Sequence, residues 1–128
     1  MTYHFTKTVD MPFDAAIETV TAALAAKGFG VLTTIDVKAT LKKKIDVDFR
    51  PYTILGACNP GFAHKALSAE DKIGTMLPCN VVVQQTDEGT VEVSAVDPAS
   101  SMAAVRNPEL EAIAGSVRQM LKDVVDGL

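Results

Sequence analysis

Tyr52-Thr53-Ile54-Leu55-Gly56-Ala57-Cys58-Asn59-Pro60-Gly61, rejoined one helix later by Leu77-Pro78-Cys79-Asn80-Val81-Val82-Val83, is the passage on which the fold turns. Tyr52 to Ala57 is an apolar run of strand length. Asn59-Pro60 then marks a helix start: an Asx side chain accepts from the first free amides, and Pro at the first helical position sacrifices no bond. The helix covers about 60–70, with Phe62, Ala63, Ala66 and Leu67 as its apolar face. Gly74 breaks the chain, and Cys79 to Thr86 is a strand whose three consecutive valines suggest burial on both faces. If the two strands are antiparallel neighbours, the end of one lies beside the start of the other and the helix loops out between them. Cys58 and Cys79 then come close in space.

Working outward, residues 3–9 form a strand with Tyr3, Phe5 and Val9 on one parity and His4, Thr6 and Thr8 on the other. Asp10 and Pro12 open a helix with Phe13, Ile17, Val20 and Leu24 at helical spacing, and Gly28 ends it. Phe29 to Ile35 is β-branched and reads as a strand. Asp36 caps a short helix through about Lys44. Thr86 to Thr90 is a hairpin turn, and Val91 to Val96 returns with alternating apolar residues. The Asx-Pro signal recurs at Asp97-Pro98, before a short Ala/Ser/Met-rich turn, and at Asn107-Pro108, before a long helix lined by Leu110, Ile113, Ala114, Val117, Leu121 and Val124. The order β-α-β-α-β-α-β-β-(α)-α predicts an α+β fold with one mainly antiparallel sheet and helices packed on it. No internal repeat or linker divides residues 1–128, so a single domain is expected.

Composition bounds the function. Of 128 residues, 48% are hydrophobic, but only five are Phe, two Tyr and none Trp, so the core is aliphatic. A domain of this size buries roughly two-thirds of its unfolded surface and needs no disulfide or structural metal. The formal charge of -4 argues against binding nucleic acid through its phosphates. Lys38, Lys42, Lys43 and Lys44 read as a solvated helix end, where cations complement the dipole. No run approaches the ~18 apolar residues of a membrane span. The opening residues carry no charged segment followed by an apolar one, so a cytoplasmic location is expected, and with it two free thiols.

Chemistry can reside only in a few places. A thiol just before a helix N-terminus, as at Cys58, is favoured as thiolate and so as nucleophile, redox group or metal ligand. The bland alternative is that both cysteines are small core hydrophobes. His64, about one turn into the helix, would complete a Cys2His set. A closed zinc site needs four ligands at short spacings, however, whereas twenty residues separate the cysteines and no fourth ligand is evident. Structural zinc is thereby set aside, which leaves an open site for a soft metal or an axially ligated cofactor such as haem. His64 and His4 otherwise read as surface residues, Asn59 as a cap, and Asn80 as a group satisfying loop backbone. Asp46/Asp48, Glu70-Asp71 and Asp87/Glu88 fall in loops or turns. Phosphate-loop, dinucleotide, nucleophile-elbow and zincin motifs are lacking.

The segment Ile54 to Pro60, continued by Ala63, Ala66-Leu67, Ile73-Gly74 and Leu77 to Val81, resembles the family called domain of unknown function 302. Lys27-Gly28-Phe29-Gly30, the run Ile35 to Leu41 and Asp97-Pro98 extend the resemblance over nearly the whole chain. It implies a TATA-binding-protein-like β-α-β(4)-α arrangement, commonly dimeric, and no established reaction. The characteristic residues fall on Cys58, Asn59, Pro60, Pro78, Cys79 and Asn80; the family pattern does not call for His64. The leading expectation is a homodimeric module with a small-molecule pocket around these seven residues, and whether it catalyses a reaction is left open. The rival is a thiol-based redox or soft-metal or haem protein using Cys58 and Cys79. A third reading is a structural or interaction domain with inert, buried cysteines.

Overall fold

A computed structural model describes residues 2–128. The elements run β1 (His4–Val9), α1 (Phe13–Ala26), β2 (Gly30–Asp36), α2 (Val37–Ile45), β3 (Tyr52–Cys58), α3 (Pro60–Ala69), β4 (Cys79–Gln85), β5 (Val91–Val96), α4 (Pro98–Ser101) and α5 (Pro108–Asp126). Short 3-10 helices lie at Asp71–Met76 and Ala103–Val105. The five strands form one antiparallel sheet in the order β1-β5-β4-β3-β2. This is an α+β fold with the order β-α-β(4)-α, into which the short helices are inserted.

Each helix begins as its cap dictates. Asp36 accepts from the Ala39 amide at 2.9 Å, Asn59 from Phe62 at 3.3 Å, Asp97 from Ala99 at 3.0 Å and Asn107 from Glu109 at 3.1 Å. α1 is the exception: Pro12 precedes it and no side chain caps it. Its other end is closed by Gly28 at φ +84°, a left-handed conformation that glycine adopts without steric penalty. The Gly28 and Phe29 amides return to the Ala25 and Leu24 carbonyls, each at 3.0 Å, and the turn drives Phe29 into the core.

One face of the sheet carries Leu55, Ala57, Val81, Val83, Val93 and Ala95, all buried against α1 (Ala16, Val20, Leu24) and α5 (Val117, Leu121, Val124, Val125). The expectation that the three valines of β4 are buried on both faces fails at Val82, which is only half-buried. The long helices lie on the same side, and the other face mixes the half-buried Ile54 and Val82 with polar groups. There Thr6 bonds Ser94 at 2.8 Å, and Gln84 accepts from Arg50 at 2.9 Å and donates to Glu92 at 3.3 Å.

A smaller apolar cluster joins Ala66 of α3, Ile73, Met102, and Leu110 and Ala114 of α5. Ile73 explains why Gly74 does not break the chain as expected: its buried side chain anchors the 3-10 turn Asp71–Met76, and Gly74 lies inside that turn. β2 begins one residue later than read, at Gly30. It is an edge strand with a bulge, since Val31 pairs with Ala57 and Thr33 with Gly56, leaving Leu32 unpaired.

Candidate functional site

β3 and β4 are direct neighbours, and their register sets Ala57 opposite Cys79 and Gly56 opposite Asn80. Cys58, one residue past Ala57, therefore ends β3 beside the start of β4. Gly56 is required where the chains crowd. A Cβ there would run into Thr33 Oγ1 and come within 2.7 Å of Pro78 Cγ. The Leu77–Pro78 peptide bond is cis.

Between the two apolar clusters lies a cavity of about 270 Å³. Ala57, Cys58, Pro78 and Cys79 contribute to it from the strand ends, Phe62, Ala63, Ala66 and Leu67 from α3, and Leu110, Ile113, Ala114 and Val117 from α5. Its origin is visible in the side chains: alanines stand at 57, 63, 66 and 114, where larger aliphatics would close the space. Leu32 and Leu67 belong to the lining and are also exposed, so the cavity reaches the surface near them.

No lining side chain is charged. The two thiols are free and unequal: Cys58 is half-buried, and Cys79 is buried. Burial, and secondarily the neighbouring Cys58, pushes the Cys79 thiol up from 9.0 to about 11. Cys79 is thus a neutral thiol at neutral pH, a poor nucleophile and an apolar wall element.

Four of the seven expected site residues meet here: Cys58, Asn59, Pro78 and Cys79. Pro60 occupies the first turn of α3 with its ring exposed, shaping the helix start without reaching the cavity. His64 is exposed and outside the lining, so the Cys2His set is not assembled. Asn80 is in a strand rather than a loop. It is exposed and faces a different depression, on the polar side of the sheet, with Tyr52, Gln84 and Ser94. Among the described residues, no three His, Cys, Asp or Glu side chains converge in a group able to hold a metal ion. Among the described residues, no helix is long and apolar enough to cross a membrane.

The α5 residues of the cavity went unrecognised from sequence because their 3-4 spacing reads as ordinary core. The available signal was the small residues on facing helices, Ala63 and Ala66 against Ala114. Met102 and Leu77 carried none.

A crystal structure described as that of an uncharacterized conserved protein DUF302 from Bacillus stearothermophilus is similar to this chain, at 31% sequence identity and a TM-score of 0.91, over 98% of each chain. No curated protein is similar enough to match. The sequence matches the family described as Domain of unknown function DUF302 over residues 5–128, nearly its full length. With the family match and the shared fold in agreement, the chain belongs to the DUF302 family.

Proposed function

We propose that this protein is a small-ligand-binding module, acting as a homodimer of single-domain chains, whose pocket is the cavity between α3, α5 and the β3–β4 strand ends. The observation that carries the reading is the cavity itself: about 270 Å³ of space, apolar throughout most of its lining and open to the surface. Close-packed interiors seldom keep voids larger than a water molecule, and leaving one costs stability, so such a space reads as a binding pocket. The experiment is cavity filling. Ala63→Phe, at a half-buried lining position, should abolish uptake of small apolar molecules followed by protein-observed NMR, while the far-UV circular dichroism stays that of the wild type. Equal uptake by both proteins would sink the reading.

A thiol-based activity is the second reading, favoured by the arrival of Cys58 and Cys79 at one cavity. The raised Cys79 pKa weighs against it as a neutral-pH resolving thiolate. Two free thiols also suit a cytoplasmic protein. The homodimer is supported by the run from Leu32 to Val47, where Leu32, Ile35, Ile45 and Val47 are exposed and α2 has no buried residue.

A further inference from the structure

The sheet face turned away from α1 and α5 carries an arrangement of its own. Strand pairing sets its side chains in rows: Thr6 beside Ser94 and Ser94 beside Val82, then Glu92 beside Gln84 and Gln84 beside Tyr52. A depression of about 340 Å³ lies over these rows, and His4 and Asn80 face it as well. Its size falls at the lower end of small-molecule sites, roughly 300 Å³ upward. It shares no lining residue with the apolar cavity.

Two hydrogen-bond chains hold the polar groups in place. In one, His4 Nδ1 lies 2.6 Å from Thr6 Oγ1, which lies 2.8 Å from Ser94 Oγ. In the other, Arg50 Nε donates to Gln84 Oε1 at 2.9 Å, and Gln84 Nε2 donates to Glu92 Oε1 at 3.3 Å. The Phe49 ring fixes Arg50 in turn, its centroid 4.4 Å from the guanidinium carbon. Side chains tied to one another have less freedom to lose when they bind, and their donors and acceptors point in set directions. Val82, beside Ser94 and two residues from Gln84 on the same strand, supplies a half-buried apolar floor between the chains.

This composition selects a class of ligand. The Glu92 carboxylate is linked through Gln84 to the Arg50 guanidinium, so charge is balanced within the site and an ion gains no free countercharge. Thr6, Ser94, Asn80 and Gln84 carry hydroxyls and carboxamides, which both donate and accept. A sugar ring matches on both counts, since it is neutral, each of its hydroxyls donates and accepts, and its C–H face is apolar. We infer that this face of the sheet is a second binding site, which takes a neutral polyhydroxylated ring, a sugar of one or two residues, with its hydroxyls on Ser94, Asn80 and Glu92 and its C–H face on Val82. Glycoside hydrolysis ordinarily takes a pair of carboxylates, and Glu92 is the only one in the lining, so the site binds the ring rather than cleaving it.

Protein-observed NMR titration of the full chain tests this, with methyl glucoside, methyl galactoside and cellobiose as neutral sugars, glucosamine and glucuronate as charged ones, and cyclohexanol as a ring with a single hydroxyl. At least one neutral sugar should shift the amides of Thr6, Val82, Ser94 and their neighbours, and cyclohexanol at equal concentration should not. Ser94→Ala and Asn80→Ala truncate side chains on the outer face and should keep the far-UV circular dichroism of the wild type. Each should weaken that sugar several-fold to about tenfold, the value of one hydrogen bond. Ala63→Phe, which fills the apolar cavity, should leave sugar binding unchanged. Equal shifts with cyclohexanol, or indifference to both truncations, overturn the reading of the hydroxyl contacts. Tightest binding of glucosamine would make Glu92 a cation site, and tightest binding of glucuronate would make Arg50 an anion site; either overturns the neutral ligand. No shift with any neutral sugar removes the second site and leaves the reading of the cavity untouched.

Discussion

Cys58 and Cys79 line the same cavity from adjacent strands, one half-buried and the other buried, and burial pushes the Cys79 thiol up to about 11. The shift has a consequence for stability. Cys79 holds its proton more strongly when folded than when unfolded, so between pH 9 and 11 the native state binds more protons than the unfolded one. Its contribution is therefore complete below about pH 9 and falls as pH rises through about 11. At about pH 10 the loss is on the order of 1 kcal/mol. Urea unfolding of the wild type and of Cys79→Ala, each at pH 7 and pH 10, isolates the effect from other titrating groups. The variant should be less stable at pH 7, because a buried side chain is truncated, but should lose less between the two pH values, by an amount on the order of 1 kcal/mol. Parallel losses would refute the assignment.

The three Asx-Pro helix starts look equivalent in sequence, but their tertiary settings differ. Asn59 makes one cap bond, to Phe62. Asn107 caps Glu109 and also donates through Nδ2 to the Ala69 carbonyl at 3.0 Å, tying the start of α5 to the end of α3. Asn59→Ala should cost about 1 kcal/mol and Asn107→Ala about 2 kcal/mol, since the second also strands a carbonyl. Asn107→Ser restores the cap and not the tie, without setting a carboxylate against Glu70, whose Oε1 lies 3.4 Å from Asn107 Nδ2, and should fall between wild type and Asn107→Ala in thermal denaturation. An Asn107→Ser protein no better than Asn107→Ala would show that the tie to Ala69, not the cap, carries the stability.

Much of this architecture is legible in local chemistry. The caps at Asp36, Asn59, Asp97 and Asn107 require only an Asx side chain ahead of a helix, and all four form. The meeting of the two Cys-Asn elements followed from antiparallel pairing of β3 with β4, and the register of Ala57 with Cys79 bears it out. Parity was harder to read. Adjacent residues of a strand point to opposite faces, so Cys79 and Asn80 part company although they are joined in sequence. For the same reason Val82 faces away from Val81 and Val83. His64 was misplaced by helical phase: Phe62, Ala63, Ala66 and Leu67 define the cavity side of α3, and residue 64 falls outside it. A pocket near the two Cys-Asn elements was expected, but its volume and its α5 wall were not legible, because a void is a property of volumes summed over several elements, not of any one stretch.

The two edges of the sheet are built differently, and the difference bears on assembly. β1 has Lys7 in its middle, whose Nζ reaches the Asp126 carbonyl of α5 at 3.0 Å, and a charged residue on an edge discourages pairing with another chain. β2 reads Gly-Val-Leu-Thr-Thr-Ile-Asp, without a charge before its last residue, and leaves Leu32 67% and Ile35 47% exposed. The helix that follows buries none of its residues, and Ile45 and Val47 extend the apolar surface beyond it. An open, apolar strand edge beside an unburied helix is the form that a self-complementary two-fold interface takes before assembly. The expected outcome is a dimer of the wild-type chain in multi-angle light scattering, converted to monomer by Ile35→Lys, which puts a charge into the exposed apolar patch. Ile35 is outside the cavity lining, so the monomeric variant should keep its uptake of small apolar molecules. A wild-type chain that stays monomeric at high concentration would remove the dimer. A dimer that tolerates both Ile35→Lys and Ile45→Lys would move the interface to another surface.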